Sequence, residues 1–218
     1  MPRVWAVVVA GGSGTRFGKP KQFVELRGRP VVAWAVEACR AVAGSVVLVL
    51  PDTGTRSFGA DVVVAGGPSR SASVRCGLAA VPEECDVVVV HDAARPFAAA
   101  TLFRSVVDAL ADPGVAGAVC AVPVADTVKR LARPLAPGGG VADVVETLDR
   151  GALVAVQTPQ AFRTAALRRA HASAADATDD AALIEALGLR VRAVPGDPRN
   201  LKLTVPGDLA LAEHLLGS

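Results

Sequence analysis

Short, valine-rich apolar runs recur at residues 4–10, 46–50, 61–65, 87–90 and 115–122, with stretches of helical spacing between several of them. A strand that faces water on one side alternates apolar and polar residues. A continuous apolar run instead marks a strand covered on both faces, as in a parallel sheet. Residues 30–42, 71–81 and 101–110 supply the crossovers, the first opening with Pro30 where a proline suits a first helical turn. Right-handed connections place such helices on the sheet faces. The expected class is therefore α/β, a Rossmann-like sandwich around a mainly parallel sheet.

The rhythm changes after residue 122. Residues 123–156 hold Pro134, Pro137 and the glycines 138–140 between two weakly alternating segments, which suits a protruding β-arm. Helical spacing returns at 162–175 and 179–187, a strand is expected at 190–194, and a last helix from about Pro206. With 218 residues, 51% of them hydrophobic, the chain reads as a single domain over 1–218.

A net charge of +2 offers no general surface for nucleic acid or membrane, so any functional positive charge must be local. No apolar stretch approaches the roughly 20 residues that span a bilayer, and a soluble, cytoplasmic protein is expected. Cys39, Cys76, Cys85 and Cys120 have neither CxxC spacing nor histidine neighbours, which argues against zinc and for free thiols.

The segment 10–22 (AGGSGTRFGKPKQ) follows the first strand and should emerge at the carboxyl end of the sheet, where open α/β folds bind ligands. It is not a P-loop, because Ser13 and Pro20 stand where Gly and Ser or Thr are required. Nor is it a dinucleotide fingerprint, because Phe17 stands where the third glycine is needed. What remains is a glycine loop whose backbone can approach an anion, carrying Arg16, Lys19 and Lys21. Only four lysines occur in the chain, Lys19, Lys21, Lys129 and Lys202, and all fall in this loop, the arm or the segment before the last helix. The loop reads as a triphosphate cradle.

GGxGxR followed by PKQ resembles the signature of nucleotidyltransferases that activate sugar phosphates. Residues 66–74 (GGPSRSASV), 91–96 (HDAARP), 123–129 (PVADTVK), 157–162 (QTPQAF), 178–181 (TDDA) and 200–204 (NLKLT) are similar, in order and over essentially the whole chain, to the 2-C-methyl-D-erythritol 4-phosphate cytidylyltransferase family. The resemblance implies transfer of CMP from CTP to a polyol phosphate, with magnesium and with a homodimer built through the arm. The attacking phosphate monoester is already largely ionised near neutral pH, its second pKa being about 6, so no general base is required. Catalysis then rests on positioning and charge stabilisation.

By the resemblance, Arg16, Lys21, Arg150 and Lys202 are the catalytic residues, and Ala10, Gly11, Gly12, Gly14, Gly67, Arg70 and Ser73 hold CTP. Asp92, Ala93, Arg95, Thr127, Thr158 and Thr178 meet the acceptor, with Thr127 and Arg150 reaching the site of the other subunit. Asp92 ends an apolar run and is open to three readings: a cap or partner of Arg95, a substrate contact, or a magnesium ligand acting mostly through the CTP phosphates. Pro68 departs from the polar residue common at its position. His171 and His214 read as surface residues, and His91 as structural. The competing readings are a ribitol-5-phosphate cytidylyltransferase, disfavoured by Ala93 and Ala94, a hexose-1-phosphate nucleotidyltransferase, and a non-catalytic nucleotide-binding module.

Overall fold

The computed structural model of the chain describes residues 2–11, 17, 20–52, 56–135 and 138–217. In chain order the strands are β1 (Val4–Val9), β2 (Glu25–Leu26), β3 (Arg29–Pro30), β4 (Ser45–Leu50), β5 (Val62–Ala65), β6 (Val87–Asp92), β7 (Gly117–Pro123), β8 (Lys129–Leu131), β9 (Val144–Thr147), β10 (Val154–Arg163) and β11 (Val191–Pro195). The helices are α1 (Val31–Cys39), α2 (Arg70–Ala79), α3 (Ala100–Asp108), α4 (Thr164–His171), α5 (Asp180–Ala186) and α6 (Gly207–Gly217).

Seven strands form one sheet in the order β11-β7-β10-β6-β1-β4-β5. Parallel ladders join β5 to β4, β4 to β1, β1 to β6 and β7 to β11, while β10 alone runs against both its neighbours. The period-2 alternation of each strand divides its side chains between two cores. Ala6, Val8, Leu48 and Val89 pack with α1 and α3 on one face. Val7, Val47, Val49, Val88 and Val90 pack with α2, α4 and α5 on the other. This is why the strands read as unbroken apolar runs. Cys39, Cys85 and Cys120 are buried free thiols, and burial pushes Cys120 up to about 12.

The sheet corrects the expected element list in several places. β6 extends beyond the apolar run 87–90 through His91 and Asp92, which places Asp92 at the strand's carboxyl end as expected. β10 was not expected: its first residues fell in the expected arm, and the return of helix was placed at Phe162, two residues before α4 begins. Proline argues against a central strand, but Pro159 sits within the register shift between Gln157 and Gln160, where the ladder asks nothing of it. The arm is the antiparallel pair β8–β9, and it returns through the start of β10. A two-residue hairpin, β2–β3, precedes α1. His214 is exposed as expected, but His171 is buried.

Candidate active site

Strand order reverses direction about β1. From β1 the chain moves to β4 and β5 on one side, then to β6 on the other. Such a switch point leaves a crevice at the carboxyl ends of the two central strands. A cavity of about 430 Å³ lies there, lined by Val9–Gly11 after β1, by Asp92–Ala94 at the end of β6, and by the Gly67–Arg70 turn that opens α2. A second cavity of about 230 Å³ adjoins it beneath the β10 bulge and the Thr178–Asp179 turn. Arg70, Asp92 and Lys202 line both.

The turn before α2 is made by close packing. A Cβ on Gly67 would stand 2.5 Å from the Ala72 Cβ, so no side chain fits. Ser73, buried at the first turn of the helix, accepts a hydrogen bond from the Gly67 N–H at 3.2 Å. Ser69 caps α2 by accepting from the Ala72 N–H at 3.1 Å and donates to Asp176 at 2.5 Å. Ser73 thus holds the shape of the larger cavity as well as lining it.

A chain of opposite charges forms the shared wall. Asp92 receives Arg70 Nε at 3.3 Å on one oxygen and Lys202 Nζ at 2.6 Å on the other. Burial pushes the Asp92 carboxyl up, but the adjacent Arg70 and Lys202 overcome it and hold it well below the usual carboxylate range. Asp92 is therefore an anion, and its partners are Arg70 and Lys202 rather than the neighbouring Arg95. Arg95 instead donates to the Asn200 carbonyl at 2.6 Å.

Beneath Asp92 lies a neutral network. His91 Nε2 is 3.1 Å from the Arg95 carbonyl, which can only accept, so Nε2 carries the proton. Its Nδ1 then accepts from the Thr158 hydroxyl at 3.1 Å, and that oxygen accepts from the Asp92 N–H at 3.0 Å. Burial holds His91 down at about 4, keeping it neutral. Thr158 was expected to donate to substrate. Its hydroxyl proton goes to His91, and the residue fixes the end of β6 against β10.

The segment 196–204 closes the site from the other side. Buried Asn200 donates to the Thr158 carbonyl at 2.9 Å, and the Leu203 N–H donates to the Ala94 carbonyl at 2.9 Å. The Leu203 carbonyl in turn accepts from Lys21 Nζ at 2.7 Å. Two lysines far apart in sequence, Lys21 and Lys202, thereby face one pocket.

Of the expected residues, Ala10, Gly11, Lys21, Gly67, Arg70, Ser73, Asp92, Ala93 and Lys202 line the larger cavity, and Arg95, Thr158 and Thr178 line the smaller. Gly12, Gly14 and Arg16 lie outside the described residues. Thr127 and Arg150 sit on the exposed arm, where Arg150 donates to the Ala125 carbonyl, and neither lines either of these two cavities. Sequence reasoning missed Gln157, Asn200, His171 and Asp180. The last two had a signal: His171 lies four residues after Leu167, and Asp180 four residues before Ile184. That spacing places them on the buried stripes of α4 and α5.

Among the described residues no group of three His, Cys, Asp or Glu side chains could hold a metal ion, and no helix is long and apolar enough to cross a membrane.

Residues 4–218 match the sequence model of the family described as IspD, 2-C-methyl-D-erythritol 4-phosphate cytidylyltransferase. The chain is 45% identical over 222 residues to the 2-C-methyl-D-erythritol 4-phosphate cytidylyltransferase of Deinococcus radiodurans, covering 99% of this chain and 90% of that one. It is 46% identical over 228 residues to a bifunctional enzyme IspD/IspF of Anaeromyxobacter dehalogenans, covering 98% of this chain but only 57% of that longer protein. The crystal structure of 2-C-methyl-D-erythritol 4-phosphate cytidylyltransferase from Thermus thermophilus superposes with a TM-score of 0.80 at 37% identity, covering 98% of each chain. With the charged wall and the Thr178–Asp179 turn gathered at one switch point, the chain belongs to the 2-C-methyl-D-erythritol 4-phosphate cytidylyltransferase family.

Proposed function

We propose that this chain transfers CMP from CTP to 2-C-methyl-D-erythritol 4-phosphate, releasing pyrophosphate, as one step in making isoprenoid precursors. The observation that carries the reading is the pair of adjoining cavities with a common wall of Arg70, Asp92 and Lys202. The larger suits a nucleotide. The smaller, with three cations against two carboxylates, suits a small phosphate ester. A phosphate oxygen of the acceptor attacks the α-phosphorus of CTP, the new P–O bond forms, and the bond to the β-phosphate oxygen breaks. Lys21, with Arg16 by family resemblance, neutralises charge on the triphosphate, and Lys202 orients the acceptor phosphate.

Asp92 is ionised, lines one cavity with Gly11 and Lys21, and retains lone pairs beyond those used by Arg70 and Lys202. A hard cation commonly binds through one carboxylate plus substrate phosphates, so Asp92 is the residue that would hold magnesium here. When bound, magnesium adds positive charge where the pyrophosphate leaves.

The arm supports a homodimer. Val144 and Val145 point to opposite faces of β9, yet both are more than half exposed, as are Leu135 and Val141. A two-stranded ribbon with apolar residues on both faces is marginal alone and gains from cover. A second copy would supply that cover and bring Thr127 and Arg150 to a neighbour's acceptor pocket. We read residues 1–218 as one nucleotidyltransferase domain acting in the cytoplasm, with the arm at about 123–156 and neither nucleic acid nor membrane as partner.

The test is pyrophosphate release with CTP and magnesium, comparing 2-C-methyl-D-erythritol 4-phosphate, ribitol 5-phosphate and glucose 1-phosphate at equal concentration. Strong preference for the first is expected. Preference for ribitol phosphate would keep the chemistry and change the acceptor, and silence with all three would overturn the catalytic reading.

A further inference from the structure

Asp180 is the first residue of α5 and has no exposed surface. It lines neither cavity, yet one oxygen accepts from Arg70 Nη1 at 2.8 Å and the other from His171 Nε2 at 2.9 Å. A buried carboxylate is costly unless it is paired and hydrogen-bonded, and here each oxygen accepts one bond, one of them from a guanidinium. His171 ends α4 and is itself buried, so three elements meet at this carboxylate: α2 through Arg70, α4 through His171, and α5.

The consequence lies in the geometry of the guanidinium. Its donors form a rigid fork. Asp180 holds Nη1 and fixes how the fork is turned, so that Asp92 is met only by Nε at 3.3 Å, on Oδ1, while Nη2 is buried without a hydrogen-bond partner. That leaves Asp92 Oδ2 to Lys202 at 2.6 Å. Without the Asp180 charge, Asp92 is the one carboxylate left to Arg70, and the fork can turn to grip it with two donors. Arg70 would then compete with Lys202 for Oδ2 and displace the ammonium that faces the acceptor pocket.

We infer that Asp180, seated by His171, is a positioning residue: it divides Arg70 between two carboxylates and so sets the place of Lys202 for the acceptor phosphate. The inference rests on the reading of the smaller cavity as the acceptor site. It differs from a packing role in what it predicts for kinetics.

The test varies each substrate in turn for Asp180→Asn, His171→Leu and His171→Gln in the full-length protein, with a melting curve for each. Asp180→Asn is expected to raise the acceptor KM by about tenfold or more, with the KM for CTP and kcat moving no more than about threefold. His171→Leu, similar in volume but without a donor, should move the acceptor KM in the same direction by about threefold. His171→Gln places an N–H near the original Nε2 and should stay within about twofold of wild type. In a Lys202→Ala background, Asp180→Asn should add almost nothing, because the two act through one contact.

Lower melting temperatures with unchanged acceptor KM would overturn the inference, as would full additivity with Lys202→Ala or equal behaviour of His171→Leu and His171→Gln. If Asp180→Asn does not fold, the two His171 variants decide. An inactive wild type would strike the functional reading; an active wild type with unaffected variants would strike this inference alone.

Discussion

The candidate site is built from two regions that are held in opposite ways. At the end of β6 a run of polar groups is tied partner to partner: Asp92 between two cations, its N–H on Thr158, Thr158 on His91, and His91 on the Arg95 carbonyl. On the β8–β9 arm, Thr127 and Arg150 are exposed, and apolar side chains stand in solvent on both faces of β9. The first region is pre-organised by its own fold, since buried polar groups with fixed partners cannot drift cheaply. The second has the composition of a surface made to be covered. The comparison teaches that the wall at the end of β6 is set by contacts within one chain, while the arm's exposed residues have a role in the site only under the proposed dimer.

The sharpest break in the comparison comes from Lys21, which belongs to the pre-organised half. Lys21→Ala should lower kcat about a thousandfold or more while the melting temperature falls only modestly, since the removed cation makes one hydrogen bond to the frame, to the Leu203 carbonyl. A loss of only about twofold would remove Lys21 from the chemistry.

The neutral network beneath Asp92 predicts a pH dependence found only in this region. His91 titrates at about 4 when folded against 6.5 ordinarily, so the unfolded chain binds the proton more tightly. Its stabilising contribution is complete above about pH 6.5 and is lost as pH falls toward 4, amounting to about 3 kcal/mol over that window. Urea midpoints measured across pH 7 to 4 should show the decline, and His91→Gln should flatten it.

For the arm, Arg150→Ala should reduce acceptor kcat/KM by about 10- to 100-fold while calorimetric binding of CTP persists. Mixing Arg150→Ala with Lys202→Ala protomers should restore part of the activity, since one site of each mixed dimer then has both residues. Failure to restore would confine Arg150 to its own chain. The smallest effect belongs to Val145→Ser. Sedimentation should show weaker self-association, with protomer unfolding changed by no more than about 0.5 kcal/mol because the residue is already exposed.

How much of this was legible in the sequence follows the same division. Runs such as 46–50 and 87–90 are unbroken because both sheet faces are covered, so the parallel core and the placing of the glycine loop after β1 could be read directly. β10 could not, because Pro159 and the glutamines flanking the bulge hide a central strand. Asp92 could be found but its partners could not: Lys202 is 110 residues away and Arg70 is 22, and no local pattern encodes such pairings. His171 was hidden by a habit of reading histidine in a helix as surface, although its spacing from Leu167 put it on the buried stripe. The change of rhythm at residues 123–156, with its prolines and glycines, marked the stretch that holds the separate β8–β9 pair.

The central claim, attack at the α-phosphorus of CTP, is tested most directly by label. The wild-type protein is incubated with 2-C-methyl-D-erythritol 4-phosphate, magnesium, and CTP carrying radioactive phosphorus at either the α or the γ position. The account predicts that α-label appears in the organic product and γ-label in pyrophosphate; γ-label on the polyol product would identify a phosphoryl transfer and contradict it.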